Sequence, residues 1–173
     1  MKSFIPIIAF VIVLLCSCTK DEADLRTSSF DTPVVKGFIM RDHNGWTMGF
    51  IGKPNVNTGD PPHEGSPGFS LSVYPNPAAN SCHVWLNSPN ENETKKVWLT
   101  RATAGDELYN STGIANMNAL IIGGCPLFQV EVTGNDVALD LSMLDEGFYR
   151  VYVKMGGCLF YDNLVIYKNH ETK

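Results

Sequence analysis

An all-β sandwich is the fold this sequence predicts, and three features predict it. Short stretches alternating apolar and polar residues recur along residues 69–168, clusters of Gly, Asn, Asp and Ser separate them, and few segments carry helix formers at a 3.6-residue period. The chain has 173 residues, 44% of them hydrophobic, with 15 Gly and 10 Pro. That is enough apolar material for one packed core and too short a chain for two large domains. With 13 basic against 18 acidic residues the formal charge is -5, and no basic cluster exceeds the pair Lys95-Lys96, which argues against a nucleic-acid partner.

The first element is a targeting segment. Lys2 precedes the apolar run Ile5 to Leu15, which has the length of a signal-peptide core and falls short of the roughly 20 residues that span a bilayer. Leu15-Cys16-Ser17-Cys18 resembles a bacterial lipobox. The resemblance implies a signal peptide over 1–17, cleavage before Cys18 and a diacylglyceryl anchor on its thiol, with Cys16 as the less suitable acceptor. An uncleaved anchor helix or an ordinary secretory signal is the alternative. Residues 18–33 then form a lipidated tether. In it Lys20, Asp21 and Glu22 resemble the surface-export tag of Bacteroides-type lipoproteins, or else serve as a solvated spacer. Removing Lys2 leaves 12 basic against 18 acidic residues, a charge of -6, so the acyl chains and not a basic patch hold the protein on its membrane.

Residues 34–68 read as a β-hairpin and a proline-rich loop. Val34 to Arg41 and Trp46 to Ile51 flank Asp42-His43-Asn44-Gly45, whose Asn-Gly supplies a tight turn. From Gly52 to Gly68 the density of Gly, Pro, Asn and Asp predicts a long surface loop without a ladder. A lone hairpin is marginal, so it should dock on the neighbouring domain.

Residues 69–168 carry the sandwich and 169–173 a tail. Phe69 to Tyr74 alternates and stops at Pro75-Asn76-Pro77. Further strands are expected at Cys82–Asn87, Lys95–Ala102, Leu127–Thr133, Val137–Leu141, Phe148–Lys154 and Cys158–Tyr167. Alternation turns Val97, Leu99, Leu139, Leu141, Tyr149, Val151 and Val153 inward and leaves Arg150, Tyr152 and Lys154 outside. Thr103 to Gly124 fits no element. The aromatic residues Trp46, Trp85, Trp98, Phe148, Tyr152 and Phe160 are the candidates for a contact surface, and the hairpin is expected to cover at least half of them.

Ser72-Val73-Tyr74-Pro75-Asn76-Pro77-Ala78 resembles the opening motif of the type IX secretion (Por) C-terminal sorting domain. Leu139-Asp140-Leu141-Ser142 with Gly147-Phe148-Tyr149-Arg150-Val151-Tyr152-Val153 resembles its penultimate motif, and Asn163 to Lys168 its closing strand. The resemblance covers about 100 of the 173 residues and implies an immunoglobulin-like sandwich. It marks Tyr74, Pro75, Asn76, Pro77, Gly147 and Tyr149 as motif positions of structural character. Here no large cargo precedes the domain, and a lipobox provides a second anchoring route, which favours a sandwich of this lineage reused as the body of a lipoprotein.

Chemistry-bearing residues are few. His43, His63, His83 and His170 share no metal-ligand spacing, so neither a metal nor a cofactor is expected. Cys82, Cys125 and Cys158 fit no zinc or redox motif. One disulfide, Cys125–Cys158, is favoured because each begins a late strand, with three buried thiols as the alternative. Asp140 lacks a second carboxylate partner and reads as a turn acceptor. No catalytic residue is assigned and an enzyme is not expected. The favoured function is a non-catalytic, lipid-anchored protein of the outer membrane and cell surface, binding a protein partner as an accessory subunit of a membrane complex. A type IX secretion substrate and a glycan-binding surface module are the alternatives.

Overall fold

The computed structural model describes residues 32–59, 68–90, 92–106, 108, 112 and 125–168. The signal peptide, Cys18, the triplet Lys20, Asp21 and Glu22, His63, His170, most of 103–124 and the tail lie outside them. Among the described residues ten strands form three sheets. Seven of these strands build the sandwich: β4 (Ser70–Tyr74), β5 (Ser81–Asn87), β6 (Lys95–Ala104), β7 (Pro126–Val132), β8 (Asp136–Asp140), β9 (Gly147–Met155) and β10 (Cys158–Ile166). One sheet runs β4-β5-β8 and the other runs β7-β6-β9-β10, an immunoglobulin-like division of the strands. The core between them comprises Leu71, Val73, Val84, Leu86, Val97, Leu99, Leu139, Leu141, Tyr149, Val151, Val153, Leu164 and Ile166 among others, all at most 4% exposed. Every residue placed inward by alternation is in that set.

The N-terminal unit packs on the outer face of the larger sheet. β1 (Val34–Val35) pairs in parallel with the end of β6 at Thr103 and Ala104, while β2 (Gly37–Arg41) and β3 (Thr47–Gly52) form the hairpin. Gly45 has φ +84°, the left-handed conformation the tight turn needs, and Asp42 Oδ1 accepts from the amides of Asn44 and Trp46, both at 2.9 Å. Val35 and Phe38 close over Phe148, Val165 and Leu108 as a second, smaller core.

This docking corrects three expectations. Arg150 does point away from the sandwich core, but it is only 8% exposed: β1 and Asn55 cover it, and its Nη2 donates to Val34 O at 3.0 Å. Of the six aromatic residues only Phe148 lies under the hairpin. Phe160 is in the sandwich core, stacked on Phe69, and the hairpin's own Trp46 is 73% exposed. The loop after β3 does contribute pairing, since Asn57 and Tyr161 exchange backbone hydrogen bonds of 2.9 and 2.8 Å.

A polar seam joins hairpin to sandwich. Asn76 Nδ2 donates to Ile39 O at 2.9 Å and to Asn163 O at 2.8 Å, and its Oδ1 accepts from Val165 N at 3.0 Å. Asn163 Nδ2 donates to Gly37 O at 2.7 Å, while Asn163 Oδ1 accepts from Arg150 Nε at 2.9 Å. Arg41 Nη1 lies 2.6 Å from Asp162 Oδ2, with the Asp162 side chain fully buried. Burial pushes the Asp162 carboxyl above its ordinary range, and the Arg41 guanidinium and the amides of Asn163 and Val73 pull it back down.

Two variants test this architecture by urea unfolding. Tyr149→Ala removes a side chain that is 1% exposed and whose hydroxyl donates to Asp145 O at 2.7 Å; it should cost about 3 to 5 kcal/mol. Asp162→Ala strands a buried guanidinium and should cost a similar amount, about 3 to 5 kcal/mol. A loss below about 1 kcal/mol in either would contradict the burial described.

Candidate functional site

Ile51 of β3 faces the small core, whereas Met48 and Phe50 of that strand, and Trp46 just before it, are 68%, 63% and 73% exposed, with a register shift opposite Met40 and Arg41 interrupting the alternation at Met48. Ile39, paired with Phe50, lies on the same outward face. Three large apolar side chains this exposed on one short hairpin are unusual for surface that meets only water. Beside it the outer face of β4 and β5 presents Ser70, Ser72 and Trp85, because Leu71, Val73, Val84 and Leu86 take the inward positions. Ser72 and Trp85 stand directly opposite each other across the strands.

Between the hairpin and this face runs a groove of about 360 Å³. Phe50 and Thr47 form one wall, Ser70, Ser72 and Trp85 the other, and Arg41 the floor. Gly45 of the hairpin turn also lines it and abuts Tyr74: a Cβ on Gly45 would lie 3.3 Å from the Tyr74 ring. Tyr74 in turn stacks on His83 with ring centroids 5.6 Å apart, and His83 Nδ1 lies 3.0 Å from Asp136 Oδ2. Burial, then the Asp136 charge, raises the Tyr74 hydroxyl. This histidine–aspartate pair is about half exposed on both sides, and no described hydroxyl or thiol hydrogen-bonds to the ring. It is a surface pair and not an assembled nucleophile.

The motif residues fall elsewhere. Pro75 and Pro77 follow cis bonds in the turn after β4, Gly147 opens β9 with φ +146°, and Tyr149 fills the core. Asn76 is 1% exposed and belongs to the seam. Asp140 Oδ1 accepts from Ser142 N at 2.9 Å, and hydrogen bonding from the Ser142 side chain first and its amide second holds the carboxyl below the ordinary range. Lys95 is fully buried, with its Nζ donating to Thr133 O at 3.1 Å, so the one Lys-Lys pair presents no basic patch. Among the described residues no three His, Cys, Asp or Glu side chains gather at metal-binding distance, and no helix is long and apolar enough to cross a membrane.

The cysteine expectation is corrected. Cys82, Cys125 and Cys158 are all free. Cys125 adjoins Pro126, which faces Thr100 on β6, whereas Cys158 faces Met155 and thus lies past Lys96 at the other end of that strand. Four residues of strand already separate those levels by roughly 13 Å, against the roughly 7 Å limit for Cα atoms of a disulfide. The alternative of three buried thiols fails as well, since Cys125 and Cys158 are exposed.

No known family's sequence model and no curated protein matches the chain.

Burial pushes the Cys82 thiol up to about 12, and the thiolate is the reactive form. Iodoacetamide at pH 8 should therefore alkylate Cys125 and Cys158 of the native protein, and Cys82 only after unfolding. Peptide mass spectrometry reads the pattern; rapid native labelling of Cys82 would contradict its placement.

Proposed function

We propose that the chain is a non-catalytic lipoprotein of the outer membrane, displayed on the cell surface and serving as an accessory subunit that binds a protein partner. The observation that carries the reading is the exposed apolar cluster of the hairpin, Trp46 before β3 with Met48 and Phe50 on it. Exposed Trp, Met and Phe are the residue types enriched at protein interfaces, and the cluster is held on a braced hairpin and not on a free loop. The lipobox-like Leu15-Cys16-Ser17-Cys18 supports membrane attachment through Cys18, and Lys20, Asp21 and Glu22 support export. The sorting-domain reading draws support from the motif residues, yet Asn76, Gly147 and Tyr149 each have a structural role in this chain that accounts for them.

Extraction in mild detergent from the native membrane should recover a stoichiometric protein partner. The double variant Trp46→Glu with Met48→Glu should fold, remain with the membrane and lose that partner. Recovery of the wild-type protein alone would overturn the accessory-subunit reading. Cys18→Ala should accumulate as uncleaved precursor or soluble material, while Cys16→Ala behaves as wild type. A cleaved N-terminal peptide with unmodified Cys18, read by mass spectrometry, would overturn the lipid anchor.

A further inference from the structure

We propose that the groove between the hairpin and the β4–β5 face is a binding site for an uncharged oligosaccharide. A sugar ring has a C–H face that packs on aromatic carbon and a rim of hydroxyls that both donate and accept hydrogen bonds. The groove offers both chemistries on facing walls. Trp85, 40% exposed, and Phe50 supply the aromatic surface, while Ser70, Ser72 and Thr47 supply hydroxyls that no described hydrogen bond engages. Its volume of about 360 Å³ falls in the roughly 300 to 1,000 Å³ range of small-molecule sites. Among the described residues an anionic ligand finds no partner here: the lining holds no lysine, and the Arg41 guanidinium is 8% exposed and already taken by Asp162 Oδ2 and Val73 O. A purely apolar ligand would bury the three hydroxyls unpaired. Because the seam fixes the hairpin against the sandwich, both walls are set before the ligand arrives, which lowers the ordering entropy of binding. The site shares Phe50 with the protein-binding cluster, whose Trp46 and Met48 lie outside it.

The test uses the full chain in a detergent without a sugar headgroup. Neutral tetrasaccharides of α-linked glucose, β-linked glucose, mannose and N-acetylglucosamine serve as probes, read by calorimetry and tryptophan emission. At least one should bind saturably in the millimolar range or tighter. Trp85→Ala and Phe50→Ala should each weaken that binding by about tenfold or more, and Ser72→Ala by a few-fold. Trp46→Ala, outside the groove, should leave it unchanged. Both ring side chains are substantially exposed, so the thermal transitions of these variants should stay near wild type. Failure of all four probes to saturate, or binding in Trp85→Ala within twofold of wild type, overturns the proposal. Partner recovery through Trp46 and Met48 is read separately, so either reading can fail without the other.

Discussion

The side-chain amide of Asn76 is the constraint on which the rest of the structure depends. It sits between two prolines at 1% exposure, and both its N–H bonds and its oxygen are engaged, linking β2 through Ile39 to β10 through Asn163 and Val165. β10 is the last strand of its sheet, and its outward backbone groups would otherwise be an open edge ready to pair with another chain. Instead single residues satisfy them in turn: Asn57 at Leu159 and Tyr161, Asn76 at Asn163 and Val165, and Ala78 at Val165 and Tyr167. The edge is sealed by loops and amides in place of an eighth sandwich strand.

The same groups decide where the candidate site can be. Arg41 leaves β2 at a bulge and reaches past Val73 to Asp162, so the hairpin is fastened to the seam where β4 and β10 approach. That attachment sets Phe50 across from Trp85 and brings Gly45 onto Tyr74. A buried ion pair contributes little net stability when compared with apolar substitutes, because desolvating both charges offsets their attraction. Its effect is on geometry, since either partner alone in that position would be strongly unfavourable.

What was legible in the sequence was what a period of two encodes. Alternation is cleanest in β4, β5 and β8, where Leu71 and Val73, Val84 and Leu86, or Val137 and Leu139 are buried and their neighbours are not; in β9 it places Tyr149, Val151 and Val153 inward, but the outward Phe148 and Arg150 are buried as well, beneath the N-terminal unit. The seam was not legible by that rule, which sends polar residues outward. Arg41, Arg150, Asp162 and Asn163 are all buried, and Asn76 between prolines looks like an ordinary turn residue. One signal was available. Asp162 and Asn163 are adjacent and so face opposite sides of a strand otherwise apolar to its end, a pattern that requires cover on both faces and a hydrogen-bond partner for each. The groove was less visible still, because Ser70, Ser72 and Trp85 become a wall only once the hairpin stands opposite them. The expected pairing of Cys125 with Cys158 failed for a related reason: position at the start of a strand says nothing about which end of the sheet that start occupies.

Apolar contact by itself would not position the hairpin. The small core under it contains five buried residues, Val35, Phe38, Leu108, Phe148 and Val165, and hydrophobic burial is not directional. A slip of two residues along β10 would keep the same faces together while moving Phe50 by roughly 7 Å relative to Trp85. The polar groups forbid the slip. After it Asn76 would no longer meet Ile39 O, Asn163 Nδ2 would lose Gly37 O, and Arg41 would leave Asp162 buried without its counter-charge. Each unpaired buried group costs on the order of 1 to 3 kcal/mol, and more for the charges. Together these penalties rival the whole stability of an ordinary domain. The apolar contacts hold the hairpin down and the polar ones choose its register. The width of the groove therefore follows from the hydrogen bonds of Asn76 and Asn163, side chains that do not line it.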